Sequence, residues 1–399
     1  MKQVTIIEVD YHPEVLYNTC RLLAVTDLKV VVFTKGWIYR QIISDELSGS
    51  QFQWFVEETS SAIRKTIRSR LELINSSDIV LFNTLASHFR FFTRLGITAP
   101  TLLRIHNVNA YLRPGRSFRP VFTPHYLFKD TSHIVRKTIG QSDWYWRARF
   151  LQKVDSIVFP DEFIEQKVKE QRLWPEERIA PFLPITFRDP LLKKSEAGEI
   201  VRITIPGTID NRRRDYRLVM EAIRKVAGKL EKEVELILLG RPKGSYGRKI
   251  AAGFMRLQTD RLRITTFDGK IPMEKFRQYL RETDFFILPV VIPTRYTIYR
   301  EYYGYTKISG SINDMIVAGK PSLINRDYPL NRHLREICTT FDTPESLAGH
   351  LLDWVNQGAY LGKAKKVDES LAFYDRERLA AYTVEVFKSL QKSNHDGHH

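Results

Sequence analysis

Two loops in the second half of the chain carry the residue types that grip a diphosphate. The first follows the β-branched run Val201-Arg-Ile-Thr-Ile-Pro206 and reads Gly207-Thr-Ile-Asp-Asn-Arg212-Arg213-Arg214-Asp215 before helical periodicity begins. A glycine at a strand end lets backbone approach a ligand closely, and arginine forks take phosphate oxygens in pairs. Gly207, Arg213 and Arg214 are therefore candidate phosphate contacts. The second loop reads Glu301-Tyr-Tyr-Gly304-Tyr-Thr-Lys307-Ile-Ser309-Gly310-Ser311 and leads into a helix that stops at Gly319-Lys-Pro321. Ser309 suits an N-cap, and Gly310 and Ser311 present N–H groups at the positive end of that helix. Such an end accepts a diphosphate, with Lys307 as a cation beside it. Asp314, one turn further in, is placed to accept protons from ribose hydroxyls. A solvated basic loop and plain helix capping would use the same residues.

Two more strand-end loops belong to this set. Arg241 or Lys243, in Leu239-Gly-Arg-Pro-Lys-Gly244, could reach phosphate. Asp268, in Phe267-Asp-Gly-Lys-Ile-Pro272, belongs to a loop that could offer backbone groups and an apolar wall to a nucleobase. Acid–base candidates lie in the first half: Asp10, His12 and Glu14 after the first strand, and His106 with Asn107 after the fifth. A general base must titrate near the working pH and reach the acceptor hydroxyl, which suits a histidine or a carboxylate. A loop histidine held by local backbone is the alternative at His12 and His106. His88, before an aromatic run, reads as a packing residue.

The elements that must position these residues follow from hydropathy. Short apolar runs alternate with amphipathic stretches, the signature of parallel βαβ units. Strands are expected at 4–10, 29–34, 52–57, 78–83, 100–106, 156–160 and 179–183, with helical periodicity at 60–75 and 161–171. A charged, proline-containing break follows. The pattern then restarts, with strands at 201–206, 234–240, 261–267, 285–290, 321–324 and 338–341. The fold class is α/β: two doubly wound Rossmann-like domains facing each other across a cleft. The expected divisions are 1–185 for an acceptor-binding domain, 186–200 for a linker and 201–370 for a donor-binding domain. Residues 371–399 form a C-terminal helix returning towards the first domain, plus a tail. In such sheets ligands collect beyond the carboxyl ends of the strands.

The order of these motifs resembles the donor half of the GT-B glycosyltransferases, and is similar to the large retaining group called family 4. The resemblance rests on strand-Gly-basic cluster, Leu-Gly-Arg-Pro, Phe-Asp-Gly-x-Ile-Pro, Asp-Phe-Phe-Ile-Leu-Pro, Tyr-Gly-x-x-Lys-x-Ser-Gly and Gly-Lys-Pro. It covers residues 201 to about 325 and extends to the first half by architecture. It implies pyrophosphate binding by Arg213 or Arg214 with Ser309 and Gly310, ribose binding by Asp314, and a contact from His106 to the donor sugar. It implies a nucleotide-diphosphate sugar as donor, and a glycan, lipid-linked or other hydroxyl acceptor, in bacterial polysaccharide or glycoconjugate synthesis. The sequence departs where the family pairs two glutamates eight positions apart: Thr306 and Asp314 stand there. The role of the first glutamate then falls to Lys307, Glu301 or another group. The family's glycine-rich loop after the first strand is also replaced, by Asp10-Tyr-His12-Pro-Glu14. Stereochemistry is left open.

Composition bounds the rest. The 399 residues carry 62 Lys and Arg against 46 Asp and Glu, a net charge of +16 that attracts anionic partners. From 111 to 150, eight basic residues interleave with aromatics against two aspartates. Such a stretch can stack bases or sit at an anionic membrane surface; the resemblance, whose acceptors are often lipid-linked, implies the membrane, so no nucleic acid is expected as a partner. The two cysteines fit a reducing cytoplasm, and no signal segment is apparent at the start. No metal or other cofactor is expected, since neither clustered ligands nor an Asp-x-Asp motif occurs. Walker A and Gly-x-Gly-x-x-Gly motifs are absent as well. The histidine-containing tail is set outside the fold. Two competing functions remain: a nucleotide-sugar epimerase of the same architecture, and a non-enzymatic basic protein that binds membrane or nucleic acid.

Overall fold

The computed structural model describes residues 1–119, 143–193, 198–210 and 212–396. It divides into two compact units. The first comprises Met1–Thr186, Arg295–Glu301 and Arg376–His399; the second comprises Phe187–Thr294 and Tyr302–Asp375.

The first unit is built on six parallel strands: β1 (Gln3–Glu8), β2 (Lys29–Lys35), β3 (Phe52–Glu57), β4 (Ile79–Thr84), β5 (Thr101–Arg104) and β6 (Ser156–Val158). Their order is β3-β2-β1-β4-β5-β6. All six residues of β4 are buried, as a strand covered on both faces must be. The helix Arg376–Asp396 returns to this unit and adds Val386 and Phe387 to its core. It is tied down by Tyr382, whose hydroxyl donates to the Phe182 carbonyl at 3.0 Å, and by Arg376, which reaches Glu46 and the Arg21 carbonyl.

The second unit repeats the plan with β7 (Val201–Pro206), β8 (Val234–Leu239), β9 (Leu262–Thr265), β10 (Phe285–Leu288), β13 (Ser322–Asn325) and β14 (Cys338–Phe341), in the order β14-β13-β10-β7-β8-β9. Successive residues of one strand feed opposite cores, because side chains alternate across the pleat. Phe285 and Ile287 pack with the helices Tyr216–Val226 and Pro344–Asn356 on one face. Phe286 and Leu288 pack with the helix Gly310–Ala318 on the other. In each sheet the unit's first strand lies beside its fourth, which makes a topological switch point between β1 and β4 and between β7 and β10.

Three departures from the expected elements have physical reasons. Residues 179–183 form a single bridge to Ile157 rather than a strand, because Pro181 and Pro184 cannot donate to a ladder. Helical periodicity over 60–75 is broken at Arg70 into two helices, Ser60–Ser69 and Leu71–Asn75. An unexpected pair of short strands, β11 (Pro293–Tyr296) and β12 (Tyr299–Tyr302), turns through Thr297 at φ 51°. Residues 187–193, at the start of the stretch read as a linker, pack on the second unit. There Leu192 is buried, Arg277 donates to Asp189 at 2.5 Å, and Arg188 pairs with Asp368 and Asp375. Within the stretch 111–150, residues 120–142 lie outside the described ones. Among the described residues no helix is long and apolar enough to cross a membrane.

The loops beyond β7 and β8 touch backbone to backbone. A Cβ on Gly240 would overlap the carbonyl oxygen of Gly207, which cannot rotate away. Gly240→Ala is therefore expected to destabilise the fold by about 2 kcal/mol or more, as overpacking does. Gly228→Ala, which faces open space, should be neutral or slightly stabilising; urea unfolding of both variants checks the contrast.

Candidate functional site

The second unit gathers its charged residues at the switch point between β7 and β10. Gly207 leaves β7 at φ 97°, and its amide donates to the Leu239 carbonyl at 2.8 Å. The chain then runs across the sheet edge. Ile209 exchanges backbone bonds with Arg241 and Lys243 on one side, at 3.0 Å each. On the other, Asp215 donates to Pro289 at 2.8 Å and the Arg213 carbonyl accepts from Val291 at 3.0 Å. Asp210 caps the turn, accepting from the amides of Arg212 and Arg213 at 3.1 Å.

This path separates the arginines. Arg213 points outward with a side chain 57% exposed, held loosely by Asp210 at 3.8 Å. Arg214 turns inward and is buried. Its guanidinium lies over the Cα of Gly207, in the space a Cβ would fill. It donates to the Thr208 carbonyl at 3.3 Å, while its buried Nε has no partner. Of the two candidates, Arg214 is thus the one built into the site.

The helix Gly310–Ala318 supplies the second half. Its N-cap Ser309 is buried and its hydroxyl meets that of Ser311 at 2.9 Å, leaving the first-turn amides uncapped by a side chain. Gly310 is exposed and faces open space. Helix N-termini of this kind attract anions. Asp314, partly buried on the same helix, has its carboxyl pushed up to about 7 by burial, with the charge of Arg214 pulling the other way. The Gly310 helix and the Gly207 loop thus lie within electrostatic reach of each other. Among the remaining candidates, Arg241 and Asp268 are exposed on their loops, and Lys307 closes a turn through Gly304, whose amide donates to its carbonyl at 2.8 Å.

The first unit builds its own switch point. Asp10 leaves β1 and accepts from the amides of Ala86 and Ser87 after β4, at 2.7 and 2.9 Å, and from the Ser87 hydroxyl. His12 sits at φ 63° ahead of the helix Pro13–Leu23, and its Nδ1 lies 2.8 Å from Glu14. Burial raises the Glu14 carboxyl, but the His12 contact outweighs it and leaves the group below its ordinary range. His106, from the end of β5, brings its ring to 5.0 Å from that of His12. Its Nε2 lies 3.2 Å from both the Thr84 hydroxyl and the Asn83 carbonyl. The structure therefore brings His106 of the fifth strand's loop to the His12–Glu14 pair of the first.

A buried chain behind them escaped the sequence reading. Glu8 is fully buried and accepts from Asn83 at 2.9 Å and from the amide of Tyr11 at 3.1 Å. Asn83 in turn accepts from Arg104, whose guanidinium also donates to Thr19 at 3.0 Å. Burial lifts the Glu8 carboxyl well above the ordinary range, and the Asn83 bond opposes it. Burial also lowers Arg104 to about 10, with Glu8 acting against that. The available signal was a charge inside an otherwise apolar strand run, in Ile6-Ile7-Glu8-Val9 and Leu102-Leu103-Arg104-Ile105. Glu301, a candidate to replace the family's first glutamate, is instead fully buried and accepts from the amides of Asn109 and Ala110, at 3.3 and 2.9 Å.

Two six-stranded parallel sheets, each with its charged loops at a switch point, match solved glycosyltransferases along nearly the whole chain. The Anabaena protein HepE, solved in complex with UDP, aligns with a TM-score of 0.61 at 10% identity, over 98% of this chain and 100% of its own. This is the GT-B fold. The lipopolysaccharide outer core galactosyltransferase WaaB aligns at 0.55 and 11% identity, over 98% and 99%. A structure described as a candidate UDP-N-acetylglucosamine 2-epimerase of Listeria monocytogenes aligns at 0.54 and 13%, over 98% and 96%. No protein-family model matches the sequence, and no curated protein matches it. The GT-B likeness therefore rests on backbone geometry.

Asp314 links this geometry to pH. An aspartate ionises near 4 in an unfolded chain and near 7 here, so between those values the folded state holds the extra proton. Stability contributed by this group is then highest at low pH and falls as pH rises through that window. Asp314→Asn should stabilise the ligand-free protein at pH 8 by about 1–2 kcal/mol and leave it nearly unchanged at pH 4. Denaturant unfolding at the two pH values checks this.

Proposed function

We propose that the protein transfers a sugar from a nucleotide-diphosphate sugar to a hydroxyl acceptor, a glycan or lipid-linked saccharide, in the assembly of a polysaccharide or glycoconjugate. One observation carries the reading. Arg214 lies against the Gly207 backbone with a buried, unpartnered Nε, within electrostatic reach of Asp314 on a helix whose N-terminus opens at Gly310. In this reading the diphosphate lies against Arg214 and the first-turn amides of the Gly310 helix. Asp314 accepts from the ribose hydroxyls. Arg213 and Arg241, both exposed, draw the anion in from solvent. No metal is called for, because the guanidinium and the helix terminus supply the positive charge.

The first unit then holds the acceptor, with His106 and the His12–Glu14 pair as the groups that contact sugar or take the acceptor proton. UDP in HepE and the galactosyltransferase activity of WaaB are properties of those proteins that favour this reading. The Listeria likeness favours a second reading, an epimerase, which would turn over donor with no acceptor present. A peripheral position on an anionic membrane face, through residues 111–150, remains part of the proposal.

Thermal unfolding with uridine, guanosine, adenosine and thymidine diphosphates tests the donor site. One of the four should stabilise the protein by about 2.7 kcal/mol at a hundredfold excess over its dissociation constant. Arg214→Ala should remove the shift, and an undiminished shift would sink the assignment. His106→Ala should keep the shift while lowering kcat by about a hundredfold or more.

A further inference from the structure

The first unit contains a basic cavity that the donor and acid–base residues do not use. It has a volume of about 470 Å³ and is walled by Arg64, Arg68, Arg90, Arg94, His88 and Trp146 among others. Four guanidinium groups therefore face one depression. Only one carboxylate, Asp143, stands on its wall among the described residues, and it is buried.

Aromatic faces and a histidine hold the arginines. Arg94 and Arg90 lie over the Trp146 ring at 4.7 and 5.5 Å from its centroid, and Arg68 lies over Phe91 at 5.5 Å. Arg64 approaches Nδ1 of His88 at 3.0 Å. Among the described residues none of the four pairs with a carboxylate. Stacking on an aromatic face holds a guanidinium plane while leaving its edge N–H groups free to grip an anion bidentately. Like charges gathered this way repel one another until an anion enters. His88 is held at φ 63°, a conformation that strains a residue with a side chain. It directly follows Ala86 and Ser87, which Asp10 fixes at the switch point. The cavity thus opens one residue beyond the turn after β4 that Asp10 holds.

We propose that this arginine cavity binds the phosphate or diphosphate group of an anionic acceptor, so that the acceptor is a phosphorylated or diphosphate-linked saccharide. The acceptor role rests on the glycosyltransferase reading; the anion site does not. A phosphoryl group is the chemistry that matches paired guanidinium edges, and the aromatic floor suits the apolar or sugar portion attached to it.

Titration of inorganic pyrophosphate into the Arg214→Ala protein isolates this cavity from the donor site. If that variant does not fold, wild-type protein saturated with its nucleoside diphosphate replaces it. The dissociation constant should rise at least about tenfold when Arg90 and Arg94 are both changed to Ala, and less with Lys at both positions. An unchanged constant, or no pyrophosphate binding before the change, overturns the proposal. Undiminished stabilisation of the Arg90→Ala, Arg94→Ala protein by nucleoside diphosphate shows that it is folded. Flotation with phosphatidylglycerol vesicles, compared with phosphatidylcholine, separates the sources. Binding that falls with the same double change assigns a lipid headgroup. Vesicle binding that is unchanged or absent, with pyrophosphate affinity lost, assigns a soluble phosphorylated acceptor. Should no nucleoside diphosphate stabilise the wild-type protein while the cavity still binds pyrophosphate, the transferase reading fails and the anion site stands.

Discussion

The contact between the Arg214 guanidinium and the bare Cα of Gly207 sets the geometry of the second unit's switch point. A guanidinium can be buried at a strand end only where no Cβ occupies its place and where backbone around it accepts some of its N–H groups. Gly207 meets the first condition and the Thr208 carbonyl helps meet the second. The loop cannot relax outward, because it is bonded to the segment after β8 through Ile209 and to the segment after β10 through Asp215. A positive charge is therefore fixed at the switch point before any ligand arrives. Preorganisation of this kind spares a ligand the cost of ordering its own site.

The first unit reaches the same end with opposite charge. Asp10 spans from β1 to the turn after β4 as Arg213–Asp215 spans from β7 to β10, but it does so with a carboxylate accepting backbone amides. Behind it, the Glu8–Asn83–Arg104 chain fixes the strand ends that carry Asp10 and His106. Buried charged groups cost free energy unless their hydrogen-bonding capacity is met. Asn83 answers both sides, donating to Glu8 and accepting from Arg104. These residues lie behind the candidates and hold them: Glu8 accepts from the amides of Asp10 and Tyr11, and the Asn83 carbonyl meets His106 at 3.2 Å.

The alternation of apolar runs and helices located the twelve strands of the two sheets, since a doubly covered parallel strand is buried along its length. Pro181 and Pro184 misled the reading because the residues beside them are apolar, and hydropathy does not register a missing N–H. The β11–β12 hairpin was hidden because Thr297, at φ 51°, turns the chain without the glycine or asparagine that usually marks such a turn. Within the candidate donor site, residue type singled out the arginine cluster, but only the path of the loop distinguishes inward Arg214 from outward Arg213. The meeting of His12 with His106 required the β1-β4-β5 order, which no local pattern encodes. The arginine cavity was equally illegible. Its arginines come from the helices Ser60–Ser69 and Phe89–Thr93 and from Arg94 just beyond, and they converge on a tryptophan more than 50 positions away.

An identity near 10% to HepE and WaaB over almost the whole chain indicates what the architecture demands of a sequence. It demands strands that can be buried on both faces, loops short enough to lie at the strand ends, and a few positions without a side chain. It does not demand particular charges. Thr306 occupies a position at which the resembling enzymes carry a glutamate, and it serves a local turn, accepting from the Tyr302 amide at 2.7 Å. Asp314, eight residues on, keeps its carboxylate within electrostatic reach of Arg214. Its ionisation near neutrality follows from a balance between burial and that one guanidinium. A ligand that adds negative charge beside Arg214 would weaken the guanidinium's hold on the carboxylate. A ligand whose hydroxyls donate to Asp314 would favour the ionised form instead. In the proposed transferase reading the diphosphate and the ribose act on Asp314 in these opposite senses, and its protonation follows from their balance.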